Sequence, residues 1–169
     1  MAAANAMNMI TLRAWANDDL WLLQETLGDP AMMQFLGGVE SAEQIERRHT
    51  RYLAGPGMFT VWESGSVVGS VGFWEKTWRS EEAYEAGWMI LPKYAGRGLA
   101  TQAAIAIMSL AREEGKHRFM HAFPNVDNAA SNAVCRNAGF TNLGEHSFEY
   151  PKGHWMRCND WRVDLFAKR

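Results

Sequence analysis

The chain has 169 residues, of which 47% are hydrophobic and 21% charged, as expected for one globular domain with a substantial core. Its net charge of −2 argues against nucleic acid as a general partner, because phosphate neutralisation needs a basic surface. No apolar run approaches the roughly 20 residues that span a bilayer, two cysteines cannot form a disulfide framework, and no Cys/His spacing indicates zinc. We therefore predict one cytoplasmic domain at residues 9–169, with no metal and no membrane partner, after a flexible tail at residues 1–8.

The first half of the chain is predicted to alternate short helices and strands. A strand at residues 9–15 precedes a helix at 18–27 capped by Asn17, and Ser41 with Gln44 forms a capping box that opens a second helix toward Leu53. Apolar runs at 58–63 and 67–74 predict a hairpin, followed by a polar loop at 77–82 and a strand at 83–91.

Residues 84–101 are the most informative segment, because a strand there delivers a glycine turn to a helix N-terminus. Backbone N–H groups in the first turn of a helix have no intrahelical partner, and Gly96 and Gly98 would let a phosphate approach them. Leu99 and Ala100 replace the Lys-Ser/Thr of a Walker loop, and Thr101 replaces the last glycine of a dinucleotide fingerprint. The alternative is an ordinary turn that needs glycine only for its conformation.

The second half predicts a long helix, a strand, a short helix and two closing strands. The long helix covers residues 98–114 with Gly115 as its stop, and a strand follows at 118–123. The short helix at 128–138 begins at Asp127 or Asn128 and ends at Asn137 and Gly139, after which Phe140 opens a buried strand. The closing strands lie at 140–150 and 154–166.

Two motifs in this order resemble the GNAT superfamily of N-acyltransferases. Lys93-Tyr94-Ala95-Gly96-Arg97-Gly98 is similar to its acyl-coenzyme A loop, in which Gln or Arg usually stands where this chain has Lys93. About thirty residues later, Asn128, Ser131, Gly139 and Phe140 match a second GNAT element that closes on Gly-Phe. Residues 11–20, 28–37 and 157–165 look like the RimJ/RimL-type branch, so the resemblance covers roughly residues 9–165.

The resemblance implies an α/β (α+β) fold, with a single mixed, mostly antiparallel sheet of about seven strands flanked by about four helices. It also implies acetyl-CoA as co-substrate, with the pantetheine arm lying as an extra strand between two splaying parallel strands. The residues that would contact acetyl-CoA are Trp88, Met89 and Ile90 for pantetheine, Ala95, Gly96, Arg97, Gly98, Leu99 and Ala100 for pyrophosphate, and Asn128 and Ser131 from the second motif.

The implied reaction is direct acetyl transfer to an amine, which must be neutral to attack. Glu85 is our candidate base, since it lies on the strand leading to the thioester and shares a face with Gly87 and Met89, although it could equally be a solvated acid. Glu149 is a second carboxylate candidate.

The proton donor departs from the commonest GNAT pattern. Many members carry Tyr four residues before the glycine of Gly-Phe, where this chain has Cys135. Cys135 could donate a proton or be a small core residue, and Ser131 could donate a proton or cap the helix.

The acceptor stays open between a protein N-terminus and a small amine. Trp21, Trp74, Trp78 and Trp155 could shape an acceptor pocket, or belong to the core. A homodimer through the final strands is another open alternative, and a non-catalytic acyl-CoA-binding module is the competing function.

Overall fold

The computed structural model describes residues 9–167 and shows one seven-stranded mixed sheet with four α-helices in that range. The predicted tail at residues 1–8 lies outside the described residues. The strand order is β1-β2-β3-β4-β5-β7-β6, and every neighbouring pair is antiparallel except β4 with β5. The strands are β1 Thr11–Ala14, β2 Met58–Glu63, β3 Ser66–Trp78, β4 Glu81–Ile90, β5 Phe119–Ala122, β6 Thr141–Glu149 and β7 Trp155–Asp164; the helices are α1 Leu20–Leu27, α2 Ala42–Ala54, α3 Leu99–Glu114 and α4 Ala129–Ala138.

The two faces of the sheet carry different helices. One core joins the sheet to α3 and α4, with Tyr84, Ala86 and Met120 facing Ile107. The other is formed around α1, α2 and the segment between them, and Met89 packs against it. Residues of β4 therefore alternate between the two layers, and Glu85 lies on the side of α1 and α2, as its alternation predicts.

The polar loop predicted at residues 77–82 is wrong. Strands β3 and β4 pair as far as Trp78 and Glu81, and only Arg79 and Ser80 form the turn, both with positive φ (51° and 66°). This is the backbone of a two-residue hairpin turn, so the two strands continue through a segment whose polar composition predicts a loop.

Local capping chemistry explains several helix ends. Ser41 and Gln44 form the predicted capping box of α2. At the first helix the cap is Ala16 rather than Asn17, because the Asp19 carboxylate accepts a hydrogen bond from the Ala16 N–H at 2.7 Å. Gly139 alone supplies the left-handed exit of α4, with φ of 94°.

The strand after Phe140 is not buried, contrary to the sequence prediction. Phe140 is a core residue, but β6 forms the sheet edge and its residues are mostly exposed. The sequence predicts the strand but not its position at the sheet edge. An edge strand pairs with a neighbour on one side only, so β6 is mostly exposed.

Candidate active site

Strands β4 and β5 form a fork at the centre of the sheet. They pair in parallel only at Tyr84 with Met120 and Glu85 with His121, although β4 has ten residues. Beyond that point the chain after β5 follows β7, where Asn159 N–H donates to Pro124 O and Val126 N–H donates to Arg157 O, each at 3.0 Å. Within residues 9–167, no strand pairs with the β5 side of β4 after Glu85, so an extended ligand could add there.

The glycine turn lies at the end of the fork. After β4, a 3₁₀ turn at Pro92–Tyr94 leads to Gly96 and Gly98, both with φ of 75°, and α3 starts at Leu99. A Cβ added at either glycine would meet no atom within 4 Å, so conformation requires glycine there and the space in front is open. No side chain caps α3, which leaves first-turn N–H groups available to an anion.

The Arg97 side chain anchors this turn. Its guanidinium forms two parallel contacts of 2.8 Å with the carboxylate of Glu63, a buried residue at the end of β2. Only the backbone of Arg97 is then placed to meet a phosphate, and the side chain fixes the turn to the β2–β3 hairpin.

The second motif is built around the N-terminus of α4. Asn128 caps the helix, its Oδ1 accepting from Ser131 N–H at 3.1 Å. The Ser131 side chain is half-buried, and its hydroxyl makes no hydrogen bond to any residue that the structure describes. The Ser131 hydroxyl is therefore available to a ligand, while the Ser131 N–H completes the helix cap.

Cys135 occupies the core rather than a cleft. It is fully buried between α4 and the sheet, and burial raises the pKa of its thiol to about 12. A thiol in that position lacks access to a departing thiolate, so the geometry favours the core alternative over the proton-donor prediction.

Glu85 stands at the fork, on the α1/α2 side of the sheet. Its carboxylate lies 3.2 Å from Lys76 Nζ and accepts from Trp74 Nε1 at 3.2 Å, and the Trp74 ring lies over Gly87. The Glu85 side chain keeps 16% of its surface exposed. The Glu85 carboxylate is therefore only partly shielded from solvent.

Sequence reasoning missed three buried titratable residues on the face of the sheet that carries Glu85. His121 on β5 contacts Asp160 on β7, and Cys158 lies close enough to Glu85 that burial, helped by the Glu85 charge, raises the pKa of its thiol to about 11. For His121 the available signal was a polar residue in an otherwise apolar strand, whereas Asp160 lies among other polar residues of β7 and carries no such signal.

Asn132 on α4 was missed as well. Its amide donates to Asn125 O and Asn128 O, and its Oδ1 accepts from Asn159 Nδ2 and Trp161 Nε1. This buried network ties the N-terminal half of α4 to β7, the strand next to β5.

Aromatic residues line the α1/α2 face of the sheet, which also carries Glu85. Trp78 contacts Phe123 and Phe148, and Lys76 Nζ lies 4.4 Å from the Phe148 ring centre. Trp21, Trp74 and Trp155 are exposed. Glu149 accepts from Gly153 N–H at 2.7 Å, which engages it in the β6–β7 turn.

The described residues form neither a metal cluster nor a membrane-spanning helix. Within residues 9–167, no three His, Cys, Asp or Glu side chains come together as a metal site. No helix among them is long and apolar enough to cross a membrane.

Comparison with known proteins settles the family. Residues 9–141 match the model of the acetyltransferase (GNAT) domain. The chain belongs to the GNAT acetyltransferase family. This GNAT protein is an acetyl-CoA-dependent N-acetyltransferase, and the predicted fold and co-substrate are confirmed.

Solved structures similar to this acetyltransferase share its fold across nearly their whole length. A GNAT acetyltransferase from Bacillus anthracis has a TM-score of 0.80 at 23% identity, covering 94% of this chain and 96% of the other. A Salmonella typhimurium acetyltransferase that modifies the N-terminal serine of ribosomal protein L7/L12 has 0.73 at 22%, covering 92% and 95%. Spermidine N-acetyltransferase from Vibrio cholerae, in complex with CoA and spermine, has 0.77 at 16%, covering 93% and 96%.

Proposed function

We propose that this enzyme transfers the acetyl group of acetyl-CoA directly to a primary amine, a protein N-terminus or a small molecule. The observation that carries the proposal is the fork between β4 and β5, which ends beside the open glycine turn at the start of α3. An extended pantetheine arm and a pyrophosphate fit these two features in that order. We further propose the RimJ/RimL-type branch, on the segments at residues 11–20, 28–37 and 157–165, and a cytoplasmic location, which suits two free buried cysteines.

The coenzyme would be held largely by backbone groups. Trp88 and Ile90 pack into the core beside α3 and Met89 packs into the other layer, so their side chains are occupied and their peptide groups face the fork. The N–H groups of residues 96–100 would receive the pyrophosphate, with Asn128 and Ser131 bordering the same opening from α4. This arrangement supports acetyl-CoA binding with little demand on side-chain identity.

The chemistry needs proton transfer at two atoms. The amine nitrogen bonds to the thioester carbon and loses a proton, while the C–S bond breaks and the departing thiolate gains one. The unengaged Ser131 hydroxyl is our proposed donor to the sulfur. Glu85, partly exposed at the fork, is proposed to receive the amine, either by holding its ammonium or by taking its proton.

The acceptor is proposed to be cationic and to lie against the aromatic face of β3 and β6. Trp74 donates to the Glu85 carboxylate, and the rings of Phe148 and Trp78 lie beside Lys76, the ion-pair partner of Glu85. This combination suits an aliphatic ammonium. Both acceptor classes meet this description, since a peptide N-terminus and a polyamine each present an alkyl ammonium.

The test is thiol release from acetyl-CoA in the presence of single amines. Spermidine and a short peptide with a free N-terminal serine are the two probes, with the N-acetylated peptide as the matched control. Thiol release with spermidine, or with the peptide but not with its N-acetylated form, supports the proposal and identifies the acceptor class. Tight acetyl-CoA binding without release for either probe would favour the non-catalytic binding module.

A further inference from the structure

A buried histidine–aspartate pair lies at the fork. His121 Nδ1 is 2.6 Å from Asp160 Oδ1, and the two side chains are only 5% and 1% exposed. A titratable pair at this depth is unusual unless both members are hydrogen-bonded.

The surroundings of the pair keep Asp160 ionised and hydrogen-bonded. Asp160 Oδ2 accepts from Trp78 Nε1 at 3.0 Å, so both carboxylate oxygens are engaged. Burial alone would raise the pKa of Asp160, but the hydrogen bonds from His121 and Trp78 hold it below its usual range. An ionised Asp160 requires a proton on His121 Nδ1, so whenever the imidazole is neutral its lone pair lies on Nε2.

His121 lies where the reaction would occur. It is the register partner of Glu85 at the last paired position of β4 and β5, and both neighbours of His121 in β5 face the α3 core. Its ring is therefore on the α1/α2 side with Glu85, stacked on Phe123 at 5.7 Å between ring centres. His121 Nε2 has no hydrogen-bond partner in the part of the chain that is described.

Several charged or titratable groups face His121 from the adjoining strands. They are Glu85 on β4, Asp160 and Arg162 on β7, and, one strand further, Lys76 on β3 and His146 on β6. Arg162 is turned over the Phe119 ring and Lys76 is paired with Glu85. Asp160 is consequently the group that bonds the imidazole directly.

We propose that His121, held by Asp160, accepts the proton that the attacking amine loses. This assignment rests on the proposed function and deepens it. The ammonium held at Glu85 first gives a proton to His121 Nε2, directly or through one water, and Asp160 stabilises the imidazolium that results. The neutral nitrogen then bonds to the thioester carbon and gives its second proton to solvent as the C–S bond breaks. The departing thiolate takes a proton from solvent, or from Ser131, which solvent then reprotonates, and the imidazolium returns its proton to water. Glu85, tied to Lys76 and Trp74, holds the acceptor ammonium.

The kinetic test compares His121→Gln and Asp160→Asn with wild type across pH 6 to 9.5, using whichever probe amine releases thiol. We expect kcat to fall roughly 100-fold at neutral pH in His121→Gln and to recover as pH rises, because the neutral amine then becomes abundant. Asp160 is a positioning residue, so Asp160→Asn should move the pH at which kcat rises, instead of lowering kcat by the same factor at every pH. His117→Gln is the matched control, a histidine outside the fork that should keep the wild-type profile.

A second measurement does not depend on the acceptor. Long-range ¹H–¹⁵N NMR of the CoA-saturated protein should show His121 protonated on Nδ1 and free on Nε2 at pH 8. An Nε2–H tautomer, or a His121→Gln variant with an unchanged pH profile and a rate within threefold of wild type, would overturn the assignment. Failure of the wild type to bind acetyl-CoA would instead remove the proposed function, so the two failures are distinguishable.

Discussion

Glu85 and His121 face each other across the last register position that β4 and β5 share. One is a partly exposed carboxylate held by Lys76, and the other a buried imidazole held by Asp160. Their juxtaposition places two different proton-binding groups beside the point where the strands separate, and we propose that Glu85 holds the amine while His121 deprotonates it.

Replacing Glu85 tests that division. Glu85→Gln should raise the KM for spermidine about tenfold while the amine is charged and leave kcat largely unchanged, because a charge interaction with an ammonium is lost and the proton acceptor stays. Steady-state kinetics between pH 6 and 9.5 measure this, with Glu81→Gln on the same strand as control. A fall in kcat that is confined to neutral pH would instead identify Glu85 as the base.

A substitution in the glycine turn is expected to abolish coenzyme binding selectively. Gly98→Glu places a side chain and a negative charge in the open space in front of α3, at a backbone conformation that costs a non-glycine residue about 1–2 kcal/mol. Acetyl-CoA binding should disappear in calorimetry while the protein remains folded.

Gly115→Glu is its matched control. Gly115 ends the same helix with φ of 68°, so the substitution introduces similar strain away from the turn. Equal loss of acetyl-CoA affinity in both variants would show that strain, and not the phosphate site, explains the effect.

Much of the proposed coenzyme site follows from local sequence, and the proposed site of proton transfer does not. Gly96, Gly98 and the Asn128 cap are predictable because a turn or a helix end is determined by a few adjacent residues. His121 and Asp160 are 39 residues apart and meet only through the β5–β7 register, which strand patterns do not specify. Cys135 fills the position of an acid in the motif, yet its exposure depends on how α4 packs on the sheet.

Arg97 should matter for the shape of the turn. Arg97→Ala removes two hydrogen bonds from the buried Glu63 carboxylate, so we expect a loss of roughly 1–3 kcal/mol in the free energy of unfolding and weaker acetyl-CoA binding. Urea unfolding and calorimetry measure the two effects. Arg47→Ala, which breaks an exposed ion pair with Glu43, should change neither; an Arg97 variant that behaves like it would contradict the anchoring role.

Asp160 predicts a specific acid sensitivity of the fold. Because its pKa in the folded protein is below the ordinary value of 3.8, the unfolded chain binds the extra proton, and the stabilisation present at neutral pH is lost as pH falls through that range. Asp160→Asn should therefore lower stability at pH 7 and show a flatter decline between pH 5 and pH 3. Thermal unfolding across that range, with Asp127→Asn as an exposed control, measures it; parallel curves for wild type and Asp160→Asn would contradict the pair as described.

Cys135 should behave as a core residue. With its thiol pKa raised to about 12 and no exposed surface, it should resist iodoacetamide at pH 8 in the folded protein and react once the chain is unfolded. Mass spectrometry of the modified peptides reports this. Cys135→Ala should keep turnover within about threefold, and a larger loss with unchanged stability would restore the donor assignment.

The most direct test of the account is calorimetric titration of the purified protein with acetyl-CoA, beside CoA and NADH, followed by addition of the amine probes to the same sample. We predict saturable heat with acetyl-CoA, none with NADH, and thiol release on adding an amine. A folded sample that shows no heat with acetyl-CoA would contradict the central claim and leave Gly96 and Gly98 as turn residues alone.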